Sequence, residues 1–232
     1  MKQSGEGATV EKFFIQPIVC LRPGNNYAVA KVNDFCRIRI EIINREFGLR
    51  IKVVILDLDE TLLPYHHEVI PEKAIETVRQ MVRDGVEYVL IYSNNDSRTD
   101  RAVSLMRAAE EEGATTKIQP IHYPKPDPIG YIEIIESMNR ERLALELERL
   151  TNDQFVMIGD NGNTDGGCLK VRDENGARIN FIKVDVIKTD EPFLKKLKRA
   201  PQFITRWWFN FISDITDAFG NRKVLYDEDF KN

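Results

Sequence analysis

Four consecutive aliphatic residues, Val53-Val54-Ile55-Leu56, lead straight into Asp57-Leu58-Asp59-Glu60-Thr61. An unbroken apolar run of this length fits a strand covered on both faces, the mark of a parallel sheet. The two aspartates fall where that strand leaves the core. In open α/β sheets, ligands bind just outside the carboxyl ends of the strands. Two carboxylates held close together there repel each other, so they call for a cation or a shared proton. A hard cation with oxygen ligands, Mg²⁺ first among them, meets that demand.

From residue 51 the pattern alternates strand and helix. Strands are predicted near 52–58, at Tyr88–Tyr92, near Ile118–His122, at Phe155–Ile158 and near Ile179–Val186. One helix starts about Pro71, turns Ile75, Val78, Met81 and Val82 to one side, and stops at Gly85. A second is capped by Asp96 or Ser97 and runs to about Glu112, and a third covers about Ile129–Leu150. With right-handed crossovers this is an α/β, Rossmann-like three-layer sandwich around a central parallel sheet. Residues 51–186 carry the pattern and form the expected catalytic domain. Residues 1–50 are set apart as an N-terminal extension packing on that core. Within them 31–47 favour a helix through Val32, Phe35, Ile38 and Ile42, while Ile38, Ile40 and Ile42 also alternate as a strand would. Residues 187–232 are expected to form a helical tail. There Phe203, Trp207 and Phe211 make one helical stripe, with Ile204, Trp208, Ile212 and Ile215 beside it.

Composition narrows the class. At 232 residues and 42% hydrophobic, the chain suits one α/β domain with extensions. Its net charge of -4 lacks the basic balance of a nucleic-acid binder, so no nucleic acid is expected as partner. Cys20, Cys36 and Cys168 are odd in number and scattered, which fits a reducing compartment. The first residues show no apolar stretch of signal-peptide type, and no run of about 18 apolar residues occurs. A cytoplasmic protein, with peripheral membrane contact through 203–215 as an added option, is the expectation.

Four strand ends carry polar groups, each suited to one part of a phosphoryl-transfer site. Asp57 can attack as a nucleophile and form an aspartyl-phosphate. Asp59, two residues on and projecting the same general way, can protonate the leaving oxygen and later activate water. Ser93 and Asn94, directly after the second strand, offer a hydroxyl and an amide to phosphate oxygens. Lys125, framed by Pro124 and Pro126, sits in a stiff loop that aims its charge at the nucleophile and the phosphate. Asp160, in Gly159-Asp160-Asn161-Gly162-Asn163-Thr164-Asp165, would complete the metal site.

Taken in order, Asp57-x-Asp59-x-Thr61, Ser93, Lys125 and Gly159-Asp160 through Asp165 resemble the motifs of the haloacid dehalogenase-like (HAD) phosphohydrolases. The resemblance covers about residues 51–186. It implies an Mg²⁺-dependent phosphatase with Asp57 as nucleophile and Asp59 as acid/base. It also implies Mg²⁺ held by Asp57, the backbone carbonyl of Asp59 and Asp160, with Asp165 supporting the metal or orienting Lys125. The intervals from Asp59 to Ser93 and from Ser93 to Lys125 leave no room for a cap domain. An open site of this kind suits a large phosphorylated substrate or closure by a partner subunit.

Within that superfamily the chain resembles the short cap-less group that includes the YqeG type and the phosphatidylglycerophosphate phosphatases. The shared residues are Gly48-Leu49-x-Ile51-Lys52, Thr61-Leu62-Leu63-Pro64, Ser93-Asn94-Asn95 with Arg98, Lys125-Pro126, Gly159-Asp160 with Thr164-Asp165, and Glu191-Pro192-Phe193 followed by Arg199. Glu60 stands where the group usually has Asn, and Gly166-Gly167-Cys168-Leu169-Lys170 departs from its usual Gly-Gly-Asn-Arg. The resemblance implies a phospholipid head group as one substrate. A phosphoprotein, a nucleotide or a sugar phosphate is the alternative, and a non-catalytic scaffold with the same fold is a third reading.

Other readings of the same residues are weaker. Asp57, Asp59, Thr61 and Glu68 fall at calcium-loop spacing, but Leu62 occupies the position that needs glycine. The glycines after 159 match neither the dinucleotide fingerprint nor a P-loop. His66, His67 and His122 read as loop residues near the site rather than as a metal cluster. Core burial or a dimer seam is the commoner fate of a stripe such as that of Trp207-Trp208, and an interfacial helix on a membrane is the sharper alternative.

Overall fold

The chain is described here by a computed structural model covering residues 28–64, 67–95, 100–185, 187, 207 and 223–231. Its strands are β1 (Ala30–Val32), β2 (Val53–Leu56), β3 (Tyr88–Ile91), β4 (Thr115–Ile118), β5 (Phe155–Gly159) and β6 (Asn180–Val184). The helices are α1 (Ile40–Phe47), α2 (Glu72–Arg83), α3 (Val103–Glu111) and α4 (Pro128–Ala144). The strands form one sheet in the order β1-β6-β5-β2-β3-β4, parallel throughout.

The apolar run that opens β2 does what its composition requires. All four residues are fully buried. Val54 and Leu56 join Val89, Ile91, Val156 and Ile158 on the face covered by α1, α2 and α3. Val53 and Ile55 join Leu90, Phe155 and Met157 on the face covered by α4, through Tyr131, Ile134 and Met138. Each such side chain contributes about 1.5–3 kcal/mol on burial, so the central strands are held from both sides. Register is fixed on both edges of β2. Val53 lies opposite Tyr88 and Phe155, and Leu56 opposite Ile91 and Ile158. A one-residue slip would move Asp57 by about 3.3 Å along the strand.

β3 and β4 lie to one side of β2, β5 and β6 to the other. The winding therefore reverses between β2 and β5, and the crevice at the carboxyl ends of these two strands is the topological switch point. Among the described residues no extra domain stands over that crevice.

Three elements differ from the sequence expectation. The weak strand placed near Ile118–His122 lies earlier, at Thr115–Ile118, where only edge pairing to β3 defines it. The third helix ends at Ala144 rather than near Leu150, because Glu146 turns the chain at φ 58°. The ambiguous 31–47 stretch holds both answers. Its start belongs to β1, a short 3-10 turn follows at Phe35–Arg37 capped by Asp34, and α1 closes on Gly48 at φ 65°. β1 pairs with β6, so part of the stretch set apart as an extension belongs to the same sheet. Late in the chain, Leu225 bridges to Ala30. The expected cap at Asp96 or Ser97 lies outside the described residues. So does the aromatic stripe at 203–215, apart from Trp207, which is helical and exposed.

Candidate active site

β2 delivers Asp57 one residue beyond its ladder. The Asp57 N–H donates to the Ile158 carbonyl at 3.0 Å, and the Tyr92 N–H to the Leu56 carbonyl at 2.9 Å. The chain then folds back at once. The Leu62 N–H donates to the Leu58 carbonyl at 3.0 Å and the Glu60 N–H to the Leu63 carbonyl at 2.8 Å. Glu60 sits at φ 66° in this turn, a left-handed conformation that Asn and Gly adopt more readily. The turn places Thr61 under the end of β5. Its Oγ1 accepts from the Asp160 N–H at 3.0 Å and lies 3.4 Å from Asp160 Oδ1.

Lys125 is the hub. Its side chain is 2% exposed, and Nζ lies 2.8 Å from Asp57 Oδ1 and 2.6 Å from Asp165 Oδ1. Burial alone would lower the lysine's pKa, but Asp165 and Asp57 outweigh it and raise it, so the ammonium is held charged. The ring of Tyr92 lies 5.7 Å from the same Nζ, a cation–π distance. Burial pushes the Asp57 carboxyl up to about 6 against the pull of Lys125, with Asp165 and then Asp59 adding to the rise. A largely buried carboxylate whose pKa is raised beside other acids is suited to pairing with a cation.

Asp165 is fully buried and committed twice. Oδ1 meets Lys125, and Oδ2 accepts from the Asn161 N–H at 3.0 Å. Its approach needs Gly159, where a Cβ would stand 2.2 Å from Asp165 Oδ2. Gly167 plays a matching part under the lysine loop, where a Cβ would stand 2.4 Å from the Pro126 carbonyl oxygen.

Carboxylate oxygens of Asp57, Asp160 and Asp165 lie within 4.8 Å of one another, a spacing that one ion can bridge. The donors are all oxygens and mostly buried, which fits a hard cation such as Mg²⁺. Because both oxygens of Asp165 are already engaged, Asp57 and Asp160 are the better placed ligands, and Asp165 is better placed to orient Lys125.

One residue makes contacts other than those expected of it, and two were not foreseen. Asn94 was expected to hold phosphate oxygens. Instead its amide clamps the lysine loop, with Oδ1 accepting from the Lys125 N–H at 2.8 Å and Nδ2 donating to the Lys125 carbonyl at 3.1 Å. Ser93 is buried at the end of β3 and accepts from the Asn95 N–H at 3.4 Å, leaving its hydroxyl hydrogen to donate elsewhere. Asp59 is not part of the acidic cluster. Its Oδ1 pairs with Arg101 Nη2 at 2.9 Å. Arg101 and Tyr92 are the unforeseen members; nothing in their sequence neighbourhoods sets them apart. His67 offers its carbonyl to Arg101, while His122 is exposed beside Glu133, so neither enters the acidic cluster.

An acid pair after β2, a hydroxyl after β3, a lysine and then a further acid after β5, converging at the switch point, is the order of the HAD-like phosphohydrolases, and the protein is of that class. Residues 10–171 match the family described as mitochondrial PGP phosphatase, and the chain belongs to that family. Shikimate dehydrogenase from Mycobacterium tuberculosis is a distant structural relative, with 10% identity, a TM-score of 0.32, and coverage of 78% of this chain and 61% of the other. A HAD/COF-like hydrolase from Plasmodium vivax gives 15% identity, a TM-score of 0.26, and coverage of 68% and 56%. The chain thus spans roughly three fifths of the length of these two structures. No curated protein matches it.

Proposed function

We propose that the chain hydrolyses a phosphate monoester through an aspartyl-phosphate at Asp57, with a phospholipid head group of the phosphatidylglycerophosphate kind as substrate. The observation that carries the reading is the buried Asp57–Lys125–Asp165 array at the switch point, with Lys125 Nζ 2.8 Å and 2.6 Å from the two acids. Lys125 neutralises Asp57 enough for a phosphate dianion to approach it. An Asp57 oxygen then forms a bond to phosphorus as the bond to the leaving oxygen breaks, and Asp59 donates a proton to that oxygen. Asp59 next takes a proton from water, whose oxygen attacks phosphorus and frees Asp57. Ser93 donates its hydroxyl to a phosphoryl oxygen through the transfer. Bound at Asp57, Asp160 and the Asp59 carbonyl, Mg²⁺ would offset charge on the phosphoryl oxygens.

The family's description supports a PGP substrate, and the uncapped crevice supports a bulky one. The word mitochondrial in that description supports an organellar site of action, and no described helix is long and apolar enough to cross a membrane. Asp57→Asn is expected to fold and to lose at least about 10³-fold in kcat on an aryl phosphate with Mg²⁺. Full activity in that variant would end the mechanism. A panel of phosphatidylglycerophosphate in vesicles, a phosphopeptide, a nucleotide and a sugar phosphate decides the substrate. Preference for any water-soluble member overturns the lipid reading and leaves the chemistry standing.

A further inference from the structure

Arg101 stands just before α3, and its side chain is 2% exposed. Two arms of its guanidinium reach two different segments. Nη2 donates to Asp59 Oδ1 at 2.9 Å, and Nη1 donates to the His67 carbonyl at 2.7 Å. The first partner ends the strand that carries the nucleophile. The second lies on the segment that leads from the site toward α2. A lysine offers a single point charge and could not hold both in one plane, whereas the guanidinium fork can.

We propose that Arg101 is a positioning residue for Asp59, fixing the acid/base carboxylate to the backbone of the 67–70 segment so that it meets the leaving oxygen. The inference rests on the phosphatase reading above. Asp59 has a side chain 15% exposed and no other hydrogen-bond partner among the described residues, so its two torsions are free unless Arg101 pins them. A charge-assisted bond to a fork anchored on main chain removes that freedom. Proton donation needs the carboxyl within hydrogen-bond reach of the leaving oxygen, and a displacement of about 1 Å costs about 10²-fold in rate. Nucleophilic attack by Asp57 does not pass through Arg101, so in the steps up to release of the leaving group the loss falls on proton donation.

The test uses the full chain with Mg²⁺ and two esters. Phenyl phosphate needs its leaving oxygen protonated; 2,4-dinitrophenyl phosphate does not. Arg101→Ala is expected to lower kcat/KM, which ends at release of the leaving group, by about 100-fold on phenyl phosphate and by less than about 5-fold on the dinitrophenyl ester. Arg101→Lys, which keeps one contact, is expected to recover about 10-fold on phenyl phosphate. In an Asp59→Asn background, adding Arg101→Ala should change kcat/KM by less than about 2-fold, since the group it acts through is gone. Equal losses on both esters, or an undiminished loss in the Asp59→Asn background, overturn the inference and leave a purely structural ion pair. If Arg101→Ala does not fold, Arg101→Lys carries the same comparison, with its smaller loss still confined to phenyl phosphate. Hydrogen exchange needs no turnover. Amides of 60–64 and 67–70 are expected to exchange at least about 5-fold faster in the Arg101 variant than in the wild type, and unchanged exchange also overturns the tie. Wild-type inactivity on both esters would sink the phosphatase reading, while the exchange result would still decide whether Arg101 holds this segment.

Discussion

At the scale of single residues, the site is a problem in charge placed where little water reaches. Asp57 titrates at about 6 instead of 3.8, chiefly because burial penalises its charged form. A folded-state pKa above the unfolded one means that the folded protein holds this proton more tightly. Its contribution to stability is therefore complete below the unfolded pKa and is lost as pH rises through the folded value. Without metal, the wild type should lose stability relative to Asp57→Asn as pH rises from about 4 to about 6. Urea midpoints of the two proteins across that window check this; a flat or rising difference contradicts the assignment. Gly159 yields a second expectation. An alanine Cβ would press on Asp165 from 2.2 Å, and the carboxylate would have to leave Lys125. Gly159→Ala should cost about 1–3 kcal/mol and lower kcat by at least about 10-fold, read by thermal unfolding and aryl phosphate turnover. Asp57, Asp59, Asp160 and Asp165 are legible in the sequence because they follow the apolar runs of β2 and β5, and Lys125 because Pro124 and Pro126 frame it. Arg101 and Tyr92 are not legible. Arginine before a helix and tyrosine at a strand end are ordinary, and only the return of the chain brings them to the site.

At the scale of elements, the strands hold position and the loops between them hold chemistry. β2 and β5 were readable because unbroken apolar runs in a parallel sheet leave little else for the chain to do. β4 was misplaced because Thr115–Ile118 is a half-exposed edge strand, whose definition comes from hydrogen bonds to β3 rather than from its own pattern. β1 has three residues, too few for any period to show, and it takes its form from β6. The lysine loop is the instructive element. Flanking prolines suggested that it is rigid, but its place is set from outside, by the paired hydrogen bonds from Asn94. Asn94→Ala removes both and leaves the Lys125 amide without its acceptor, at a cost of about 1–3 kcal/mol. Its catalytic effect should resemble loosening of Lys125 and not loss of a phosphate ligand. We expect kcat to fall by about 10-fold or more with KM little changed, whereas a phosphate-binding role would raise KM.

At the scale of the whole molecule, a crevice with no extra domain over it among the described residues raises the question of what covers it while phosphorus is transferred. Exposed apolar side chains are unevenly placed. Val69, 78% exposed, lies on the segment between β2 and α2, and Val103, 58% exposed, opens α3 on the connection that leaves β3, so both lie toward the carboxyl ends of the strands. Leu145, 68% exposed, lies past the far end of α4, at the opposite edge of the sheet. If the substrate is a lipid, the strand-end rim must meet the bilayer surface for the phosphate to reach Asp57, and Val69 and Val103 are the side chains that would enter it. Burying a valine contributes about 1.5–3 kcal/mol, and about 1.4 kcal/mol is tenfold in affinity, so two charged replacements should be plainly visible. The double variant Val69→Glu, Val103→Glu is expected to lose at least about 10-fold in kcat/KM on phosphatidylglycerophosphate in vesicles. On a soluble aryl phosphate it should stay within about 2-fold of the wild type, since neither valine touches the Asp57–Lys125–Asp165 array. Leu145→Glu, equally exposed but on the wrong edge, should change neither. Equal losses on vesicle and soluble substrates would point to damage at the site, and a vesicle-specific loss in Leu145→Glu would mean that the membrane meets a different face.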